Sequence, residues 1–551
     1  MKKALISLFL LLFFVPLAGA LDDGVTSKAD ILNVLWLPAG AELPAALPKD
    51  AKPATLGKNM VAFLNALEKK KLPLVQRYPE RYAFFKELSS KGLTARQAYN
   101  LADLLGEDYF YGFGQVADDA KLTFPADHQP HLNYQTGWYF FVGNFKDKKG
   151  VPYGILCMFF RRALFPPEIA KQLGLSEIDN QFVDVQFAVT MGDKKINLQG
   201  HNALIAGSSG LVKYNTDPFL AQVGHNVCRS LQKGKLFPMK IHFKDPDIPL
   251  EADLLLTESQ PILLQGDQGK APAVYGLGTL YYSIPGIKAA GTLTYKKARK
   301  ELTGIMWMDN QWTAGIMPPG YPVKPYIQAL ANTLNGLKGK ANEGWGWDWT
   351  EVQFTDGSGV TFSGIHSTIS AELKNRGPIP PGKVTRPLAG GKYFNRNGEA
   401  TPVSGEVTLT RWVLSPASRA WYPCGWAVSI PALKLKFTMT PLVDDQLLHF
   451  ANASEYKEGA VTVKGSKDGK PIAGVGFGEA VAYAGEDYYY KTKLRLVGIK
   501  DTPANRALLM PKTPGPWLLV KSVVFLAGLP VIGLLLLTAV IIYFRQKRKT
   551  G

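Results

Sequence analysis

Four segments of the chain concentrate aromatic and polar side chains. They lie at 124–131 continuing to 137–144, at 304–312, at 344–354, and at 422–433 continuing to 441–446. Two of their aspartates lie close to tryptophans in the sequence, Asp348 between Trp347 and Trp349 and Asp309 between Trp307 and Trp312. Burial disfavours a charged carboxylate, so an aspartate among apolar groups keeps its proton to higher pH. Such aspartates are candidate proton donors.

The segment 344–354 places Asp348 in the alternating pattern of a strand. Successive side chains of a strand point to opposite faces, so Asp348 shares a face with Val352 and Phe354. The other face carries Glu351, Gln353 and the tryptophans Trp345, Trp347 and Trp349. Asp348 is therefore a candidate acid. The alternative is that it accepts hydrogen bonds from backbone or indole N–H groups at a domain seam.

The segment 304–312 offers a second set of candidates. Trp307 and Asp309 alternate with Asn310 and Trp312. Either Asp309 on one face, or Asn310 with Trp312 on the other, could line a pocket and take part in catalysis. The pattern leaves both possibilities open, together with a purely structural role.

Other chemical signals are weak. His128 and His131 lie three apart and are candidate ligand contacts with Trp138, although paired loop histidines are commonly structural. The chain has no GxSxG elbow, no glycine-rich turn that opens a helix, and no CxxC or HExxH spacing. These absences disfavour a serine hydrolase and a nucleotide-binding enzyme, and the sequence predicts neither a metal nor a cofactor.

A period-two alternation predicts that strands position these segments. It is clearest at 433–440, where Leu435, Phe437 and Met439 alternate with polar residues. Further strands are predicted at 138–145, 155–160, 182–189, 239–243, 278–283, 352–354 and 405–414. Many short alternating strands without intervening helical periods predict an all-β body of antiparallel barrels or sandwiches.

The body divides into two predicted domains, 107–315 and 316–500. The break falls at the proline-rich segment 317–325. Before them, 21–106 shows helical periodicity at 59–70, 79–89 and 94–105. This part is predicted to be a small helical region, and its role is not evident.

Both ends of the chain predict export and membrane attachment. Residues 1–20 combine Lys2 and Lys3 with a short apolar run and a small-residue cleavage site, as in a secretory signal peptide. Residues 522–544 carry no charge and are long enough to span a bilayer as a helix. The basic tail 545–551 follows, and basic flanks stay in the cytoplasm. The sequence predicts a single-pass cell-membrane protein with an extracytoplasmic body, periplasmic or at the cell surface.

Charge and cysteine content limit the partners. Setting aside the six basic residues of the signal peptide and the tail leaves 57 basic against 45 acidic residues, a net +12 on the outer side. This excess is spread thinly, so an anionic membrane surface is a better partner than nucleic acid. The three cysteines, Cys157, Cys228 and Cys424, allow one disulfide at most and exclude a disulfide scaffold.

Together the four segments resemble the tandem lipocalin-like family that includes the carotenoid 1,2-hydratases, hydroxyneurosporene synthase and the AttH-type secreted proteins. The resemblance covers about 107–497 and leaves out the helical region and the membrane anchor. It implies two lipocalin-like barrel or half-barrel domains joined face to face, and apolar ligands such as carotenoids, terpenoids or lipids. Some members of the family add water across a double bond without a cofactor.

Two positions depart from the family pattern. Asn310 stands where the hydratase-like motif has a histidine, and an asparagine cannot relay a proton as a histidine can. Gly137 stands where an acidic residue usually precedes the tryptophan. These departures favour binding over catalysis.

Three functions are consistent with the sequence. The first is a membrane-anchored protein that binds an apolar lipid, terpenoid or carotenoid-like ligand and, as the AttH resemblance implies, serves an ABC-type export system. The second is a cofactor-independent hydratase or isomerase of an unsaturated isoprenoid, with Asp348 or Asp309 as the acid. The rings around its carbocation would be those of Trp307, Trp312 and Trp347. The third is a structural component whose tryptophans only join the two domains.

Overall fold

The body consists of two large antiparallel sheets. The structure is a computed structural model and describes residues 52–72, 75–76, 78–106, 112–117, 119–205, 211–245, 248–272, 278–313, 345–367, 376–449 and 454–509. Within these residues each sheet curls into a half-barrel. The predicted antiparallel β architecture is thereby confirmed.

The first sheet runs from residue 136 to residue 313 and has thirteen strands in the described part of the chain. The strands are β1 Thr136–Asp147, β2 Pro152–Ala163, β3 Gln181–Met191, β4 Ile196–Ile205, β5 Val212–Asn215, β6 Leu220–Val223, β7 Asn226–Ser230, β8 Met239–Asp245, β9 Leu250–Leu256, β10 Leu263–Leu264, β11 Lys270–Pro272, β12 Gly278–Tyr295 and β13 Ala298–Thr313. Their order is β4-β3-β2-β1-β13-β12-β9-β8-β7-β6-β5, with β10 and β11 also paired to β12. The long strands β1 and β13 are neighbours at its centre.

The second sheet has eleven strands between residues 345 and 481 in the described residues. The strands are β14 Trp345–Phe354, β15 Gly359–Ser367, β16 Val384–Pro387, β17 Ala389–Phe394, β18 Ala400–Pro402, β19 Glu406–Leu414, β20 Trp421–Ile430, β21 Leu435–Pro441, β22 Leu447–His449, β23 Glu455–Lys467 and β24 Lys470–Val481. Their order is β16-β19-β20-β21-β23-β24-β14-β15-β17-β18, with β22 paired to β23. Strand β21 shows the predicted alternation of buried and exposed residues.

The central strands of the first sheet are buried on both faces. On β1, Phe141 belongs to the core inside the first half-barrel, whereas Phe140 and Val142 pack against the second sheet. Every residue of β3 is buried. A strand that is covered on both faces reads as a continuous apolar run, so the sequence of such a strand does not indicate which face meets which neighbour.

The two sheets pack face to face along what we call the seam. It is formed by β1, β2, β3 and β13 of the first sheet and by β14, β23 and β24 of the second. Its buried apolar residues include Phe140, Leu156, Met158, Trp307, Trp349, Tyr456, Ala460 and Phe477. Polar contacts also cross it, since the Asn144 amide donates to the Gly476 carbonyl at 3.1 Å and the Tyr456 hydroxyl donates to Gln186 at 2.8 Å.

A helical layer covers one end of the body. Its helices are α1 Pro53–Lys69, α2 Pro79–Ser90 and α3 Ala95–Gly106 from the N-terminal side, the short α4 Pro167–Gln172, and α5 Gly485–Leu496 with α6 Pro503–Leu509. Helices α1 to α3 confirm the helical periodicity at 59–70, 79–89 and 94–105. Helices α5 and α6, which the sequence analysis did not predict, share one apolar core with them.

Buried polar contacts fix this layer to the first sheet. The Asp103 carboxylate of α3 forms ion pairs with Lys493 of α5 and with Arg162 of β2. The Arg81 guanidinium of α2 donates to the carbonyls of Leu508 at 2.6 Å and Leu509 at 2.9 Å. The two ends of the described chain are therefore held together by α2, α3, α5 and α6.

The predicted targeting segments lie outside the described residues. This applies to the signal peptide at 1–20, the membrane span at 522–544 and the tail 545–551. In the part that is described, no helix has the length and apolar character needed to cross a bilayer. Cys157, Cys228 and Cys424 are all buried and unpaired.

Candidate functional site

Strand β13 divides the candidates of segment 304–312 between two faces. Trp307 packs in the seam with Asp309 beside it, whereas Trp312 belongs to the core inside the first half-barrel. Asn310 points to the same interior as Trp312, where its amide donates to the Tyr282 hydroxyl at 3.0 Å. The two alternatives left open by the sequence are therefore two separate places in the molecule.

The interior group joins the loop histidines to β12 and β13. His128 Nδ1 lies 2.6 Å from the Tyr282 hydroxyl, and the His131 ring stacks on Trp312 with ring centres 3.7 Å apart. Burial lowers the pKa of both His128 and His131 to about 4, so both rings are neutral near pH 7. Neutral, packed rings of this kind hold the loop in place.

A buried arginine, which sequence reasoning did not select, fastens the same loop. The Arg161 guanidinium on β2 donates to the carbonyls of Pro130 at 2.8 Å, Tyr134 at 2.8 Å and His131 at 2.6 Å. A cavity of about 10 Å³ remains beside Arg161 and Asn310. This is about the room of one water molecule.

Asp309 is the central polar group of the seam. Its carboxylate accepts hydrogen bonds from the Tyr281 hydroxyl at 2.6 Å, the Ser283 hydroxyl at 2.5 Å and the Trp307 indole N–H at 2.6 Å. The residue is 4% exposed. Burial raises the pKa of Asp309 from 3.8 to about 7, although the three donors oppose that rise by stabilising the charged form. Its protonation therefore changes near neutral pH.

Aromatic rings from both sheets surround Asp309. The Trp349 indole N–H donates to the Tyr281 hydroxyl at 3.0 Å, and the Trp307 and Trp349 rings lie 6.2 Å apart at 66°. Phe140 contacts Trp349 with centroids 5.7 Å apart, and Phe394 contacts Trp307 at 5.8 Å. Ring faces stabilise positive charge, by about 1 to 2 kcal/mol when water is excluded.

The remaining predicted tryptophans lie at or near the edge of the seam. Trp138 stacks on Phe160 with ring centres 6.3 Å apart, and the Trp347 indole N–H donates to Glu479 at 3.2 Å. Both tryptophans are partly buried against the seam core. Strand β14 begins at Trp345, whose side chain lies outside the described part of the structure.

Three glutamates of the second sheet are buried at the seam. Glu479 is paired across the strands with both Glu458 and Trp349, and Glu351 lies two residues beyond Trp349 on β14. Burial raises the pKa of Glu479 to about 8 and the pKa values of Glu351 and Glu458 well above the ordinary range. Sequence reasoning placed Glu351 on this face but did not select it. Its strand parity with Trp347 and Trp349 was the available signal.

Asp348 lies on the opposite face of β14. It shares that face with Val352 and Phe354, as the predicted parity requires, and those two residues pack inside the second half-barrel. Its carboxylate accepts from Arg386 at 2.7 Å and from the Tyr483 hydroxyl at 3.0 Å. Arg386 lies on β16, and no pattern in the sequence pointed to it. Asp348 is therefore the anionic half of an ion pair, apart from Asp309 and its aromatic rings.

One group in the described residues has the donor set of a metal site. Ligand atoms of His242, Glu251 and Asp253 lie within 4.8 Å of one another on β8 and β9. Ammonium groups already contact its carboxylates, Lys240 at 3.1 Å from Asp253 and Lys244 at 3.8 Å from Glu251. A cavity of about 400 Å³ next to His242 has a mixed lining. Its polar residues include Asn215, Gln222 and Arg229, and its apolar residues are Pro218, Phe219, Leu220 and Val227.

Comparisons with known proteins bear on the whole body. A family model described as AttH-like matches residues 115–483. The chain is similar to an AttH protein of known structure from Nitrosomonas europaea, with 21% identity, coverage of 67% of this chain and 99% of that one, and a TM-score of 0.51. It is also similar to kievitone hydratase from Nectria haematococca, with 15% identity, coverage of 67% and 96%, and a TM-score of 0.47. None of the curated proteins compared with the sequence matches it significantly.

Proposed function

This chain belongs to the AttH-like family, and we propose that it binds an apolar, unsaturated molecule at the seam and converts it by acid–base chemistry without a cofactor. The observation that carries the proposal is the state of Asp309. A buried carboxyl with a pKa of about 7, set among aromatic rings, can gain and lose a proton near neutral pH.

The reaction that suits this site is addition of water to a carbon–carbon double bond, or migration of that bond. One alkene carbon takes a proton, and the other becomes a carbocation. The rings of Trp307 and Trp349 would face that cation. Water then adds, or a neighbouring C–H loses its proton, and a carboxylate must accept the proton released in either case.

The ligand class follows from the side chains of the seam. Phe140, Leu156 and Met158 are buried there and offer only apolar surface. A chain of isoprenoid units or a polyene would match this lining. Since Asp309 is 4% exposed, the ligand has to displace side chains at the edge, where Trp138 and Trp347 are only partly buried.

The proposal is tested by turnover of defined substrates. The full-length protein in mild detergent is incubated with lycopene or with squalene in ¹⁸O-water, and products are identified by mass spectrometry. We expect a product that carries ¹⁸O, or an isomer of the substrate. Asp309→Asn should lower its rate by about 100-fold or more, which is the usual loss when an acid–base group is removed.

The matched control is Asp348→Asn, which changes a buried aspartate of the second sheet that lies outside the seam. We expect it to keep turnover within a few-fold wherever it folds. Equal losses in both variants would count against the seam as the site. If the unmutated protein binds these substrates and yields no product, the proposed conversion is refuted for them and binding alone is supported.

A second candidate function is binding without conversion, which Asn310 favours because it cannot relay a proton as a histidine would. In that case the tether proposed at 522–544 would keep the body at the bilayer, where apolar ligands dissolve, and an ABC-type exporter is the partner that we propose. Native mass spectrometry of the full-length protein after gentle detergent extraction would reveal a co-purifying lipid or terpenoid. Release of the protein by alkaline carbonate alone would argue against the tether.

A further inference from the structure

We propose that Glu351 is the proton donor of the seam and that Asp309 is its proton acceptor, so that each half-barrel supplies one carboxyl group. This inference rests on the proposed function of the seam and assigns the roles within it.

The two carboxyls lie on opposite sheets but belong to one set of contacts. Asp309 on β13 accepts from Tyr281, and Tyr281 accepts from the Trp349 indole of β14. Glu351 follows Trp349 by two residues on the same face of β14, about 7 Å along the strand. Glu351 is 0% exposed. Both carboxyls are therefore buried in the seam and connected to Trp349, Asp309 through Tyr281 and Glu351 along β14.

Their hydrogen bonding differs in a way that separates their roles. Asp309 accepts three hydrogen bonds, and each of them stabilises its charged form. Among the described residues, no donor meets hydrogen-bond geometry at either oxygen of Glu351. Gln353 and the Phe477 backbone N–H lie close enough to lower the pKa of Glu351, but burial raises it by more. A buried carboxyl with only these two weak donors keeps its proton to higher pH than one that accepts three hydrogen bonds.

Electrostatics reinforces the same order of ionisation. Charge on Asp309 raises the pKa of Glu351 further, after the larger effect of burial. The other titratable groups that face this part of the seam are Tyr281, Asp184, Glu458 and Glu479. The Lys457 ammonium lies on the other side of β23, 5.3 Å from the centre of the Trp426 ring. Asp309 is therefore the first of the two to ionise.

The reaction balances with these two groups and one water. Glu351 gives its proton to an alkene carbon, which uses the π electron pair to form the new C–H bond. The adjacent carbon becomes the cation, and a water oxygen adds to it. Asp309 takes the proton that this oxygen releases, and transfer of that proton to Glu351 restores the starting state. The net change is addition of one water molecule.

The pH dependence of kcat distinguishes this assignment from one in which Asp309 is the acid. With Glu351 as donor, turnover rises as pH increases through about 7, because Asp309 must be ionised, and falls at higher pH as Glu351 ionises. With Asp309 as donor, turnover would instead fall as pH increases through about 7. A profile of the second kind in the unmutated protein would overturn the inference and leave the proposed function standing.

Variants provide the second arm of this test. Glu351→Gln should lower kcat by about 100-fold or more and remove the alkaline limb of the profile. Glu455→Gln is the control, since Glu455 is buried on β23 but is held by Ser415 and Ser418 away from the seam. Unchanged kcat and profile in Glu351→Gln would refute the role of Glu351, whereas no product from the unmutated protein would refute both proposals.

A measurement without substrate keeps the inference open to refutation on its own. Infrared difference spectra at about pH 8 should show a protonated carboxyl band that persists in Asp309→Asn and loses intensity in Glu351→Gln. Circular dichroism confirms that each variant is folded. A band that is unaffected by Glu351→Gln would contradict the assignment.

Discussion

Asp309 and Asp348 are two aspartates of similar burial in central strands, and they differ in what surrounds them. Asp309 lies between the sheets, where its partners are two hydroxyls and an indole N–H, all of them neutral. Asp348 lies inside the second half-barrel, where a guanidinium contacts it at 2.7 Å. The pKa of Asp309 is raised to about 7 among these neutral donors, whereas the partners of Asp348 include a cation.

This difference shows that burial alone does not make an aspartate an acid. A strand pattern reports only that the side chain is covered. The chemistry depends on residues from other strands, which are Ser283 and Tyr281 for Asp309 and Arg386 for Asp348. The difference between Asp309 and Asp348 can be tested by measuring the free energy of unfolding, its dependence on pH, and the effect of removing single hydrogen bonds.

The largest expected effect is on stability at the ion pair. Asp348→Ala leaves the Arg386 guanidinium buried without its carboxylate, and both side chains are only 11% exposed in the unmutated protein. The free energy of unfolding should fall by about 3 to 5 kcal/mol. Urea unfolding followed by tryptophan fluorescence measures this change. Asp309→Asn should cost much less, and equal losses in the two variants would remove the distinction drawn here.

The next effect concerns the pH dependence of stability. Burial raises the pKa of Asp309 from 3.8 to about 7 in the folded state, so its favourable contribution is complete below about pH 4 and is lost as pH rises through about 7. That contribution is on the order of 4 kcal/mol. The urea concentration at the unfolding midpoint should therefore decrease as the pH is raised from about 4 to about 8. Asp309→Asn should make this decrease smaller. An unchanged slope in Asp309→Asn would contradict the environment assigned to this aspartate.

A smaller effect is expected from removing one donor to Asp309. Tyr281→Phe deletes a hydrogen bond that stabilises the carboxylate, so the pKa of Asp309 should rise by about one unit. Carbon-13 NMR of the labelled aspartate, or the pH dependence of kcat, measures the shift. Tyr483→Phe, which removes a hydroxyl from Asp348, is the control and should not move the titration of Asp309. A lower pKa of Asp309 in Tyr281→Phe would contradict the conclusion that the Tyr281 hydroxyl stabilises the carboxylate.

The smallest effect is expected at Trp349, whose indole connects β14 to Tyr281. Trp349→Phe keeps an aromatic side chain but removes the indole donor to Tyr281. The loss of one such hydrogen bond should lower the free energy of unfolding by about 1 kcal/mol, which thermal or urea unfolding can resolve. Trp421→Phe is the control, because its indole N–H bonds to the Gly377 carbonyl near the surface. If Trp421→Phe lowered the free energy of unfolding by more than Trp349→Phe does, the hydrogen bond in the seam would not be the more stabilising of the two.

Strand parity was the most informative sequence signal. It correctly put Asp348 with Val352 and Phe354 and put Trp347, Trp349 and Glu351 on the other face of β14, because side-chain direction alternates regardless of what covers the strand. The helical periodicity of α1 to α3 and the antiparallel sheets were predicted on the same physical basis.

Parity could not say which face of a doubly covered strand meets a partner sheet. Asp309 and Asn310 therefore remained alternatives, and the structure places them in the seam and in the first half-barrel respectively. Nor could local pattern reveal Arg386, since β16 and β14 are brought together only when the second sheet curls. Long-range pairing of this kind is set by packing of the whole sheet and leaves no mark on a short window of sequence.

The helical layer also determines how the protein carries a mechanical load. A force that pulls on the chain beyond Leu509 acts first on the hydrogen bonds from the Arg81 guanidinium to the last two carbonyls of α6. From α2 the load spreads through the shared helical core to Asp103, and through Arg162 into β2. Tension would thus act on the packed helices and the first half-barrel before it reaches β24, the strand that directly precedes α5 in the chain.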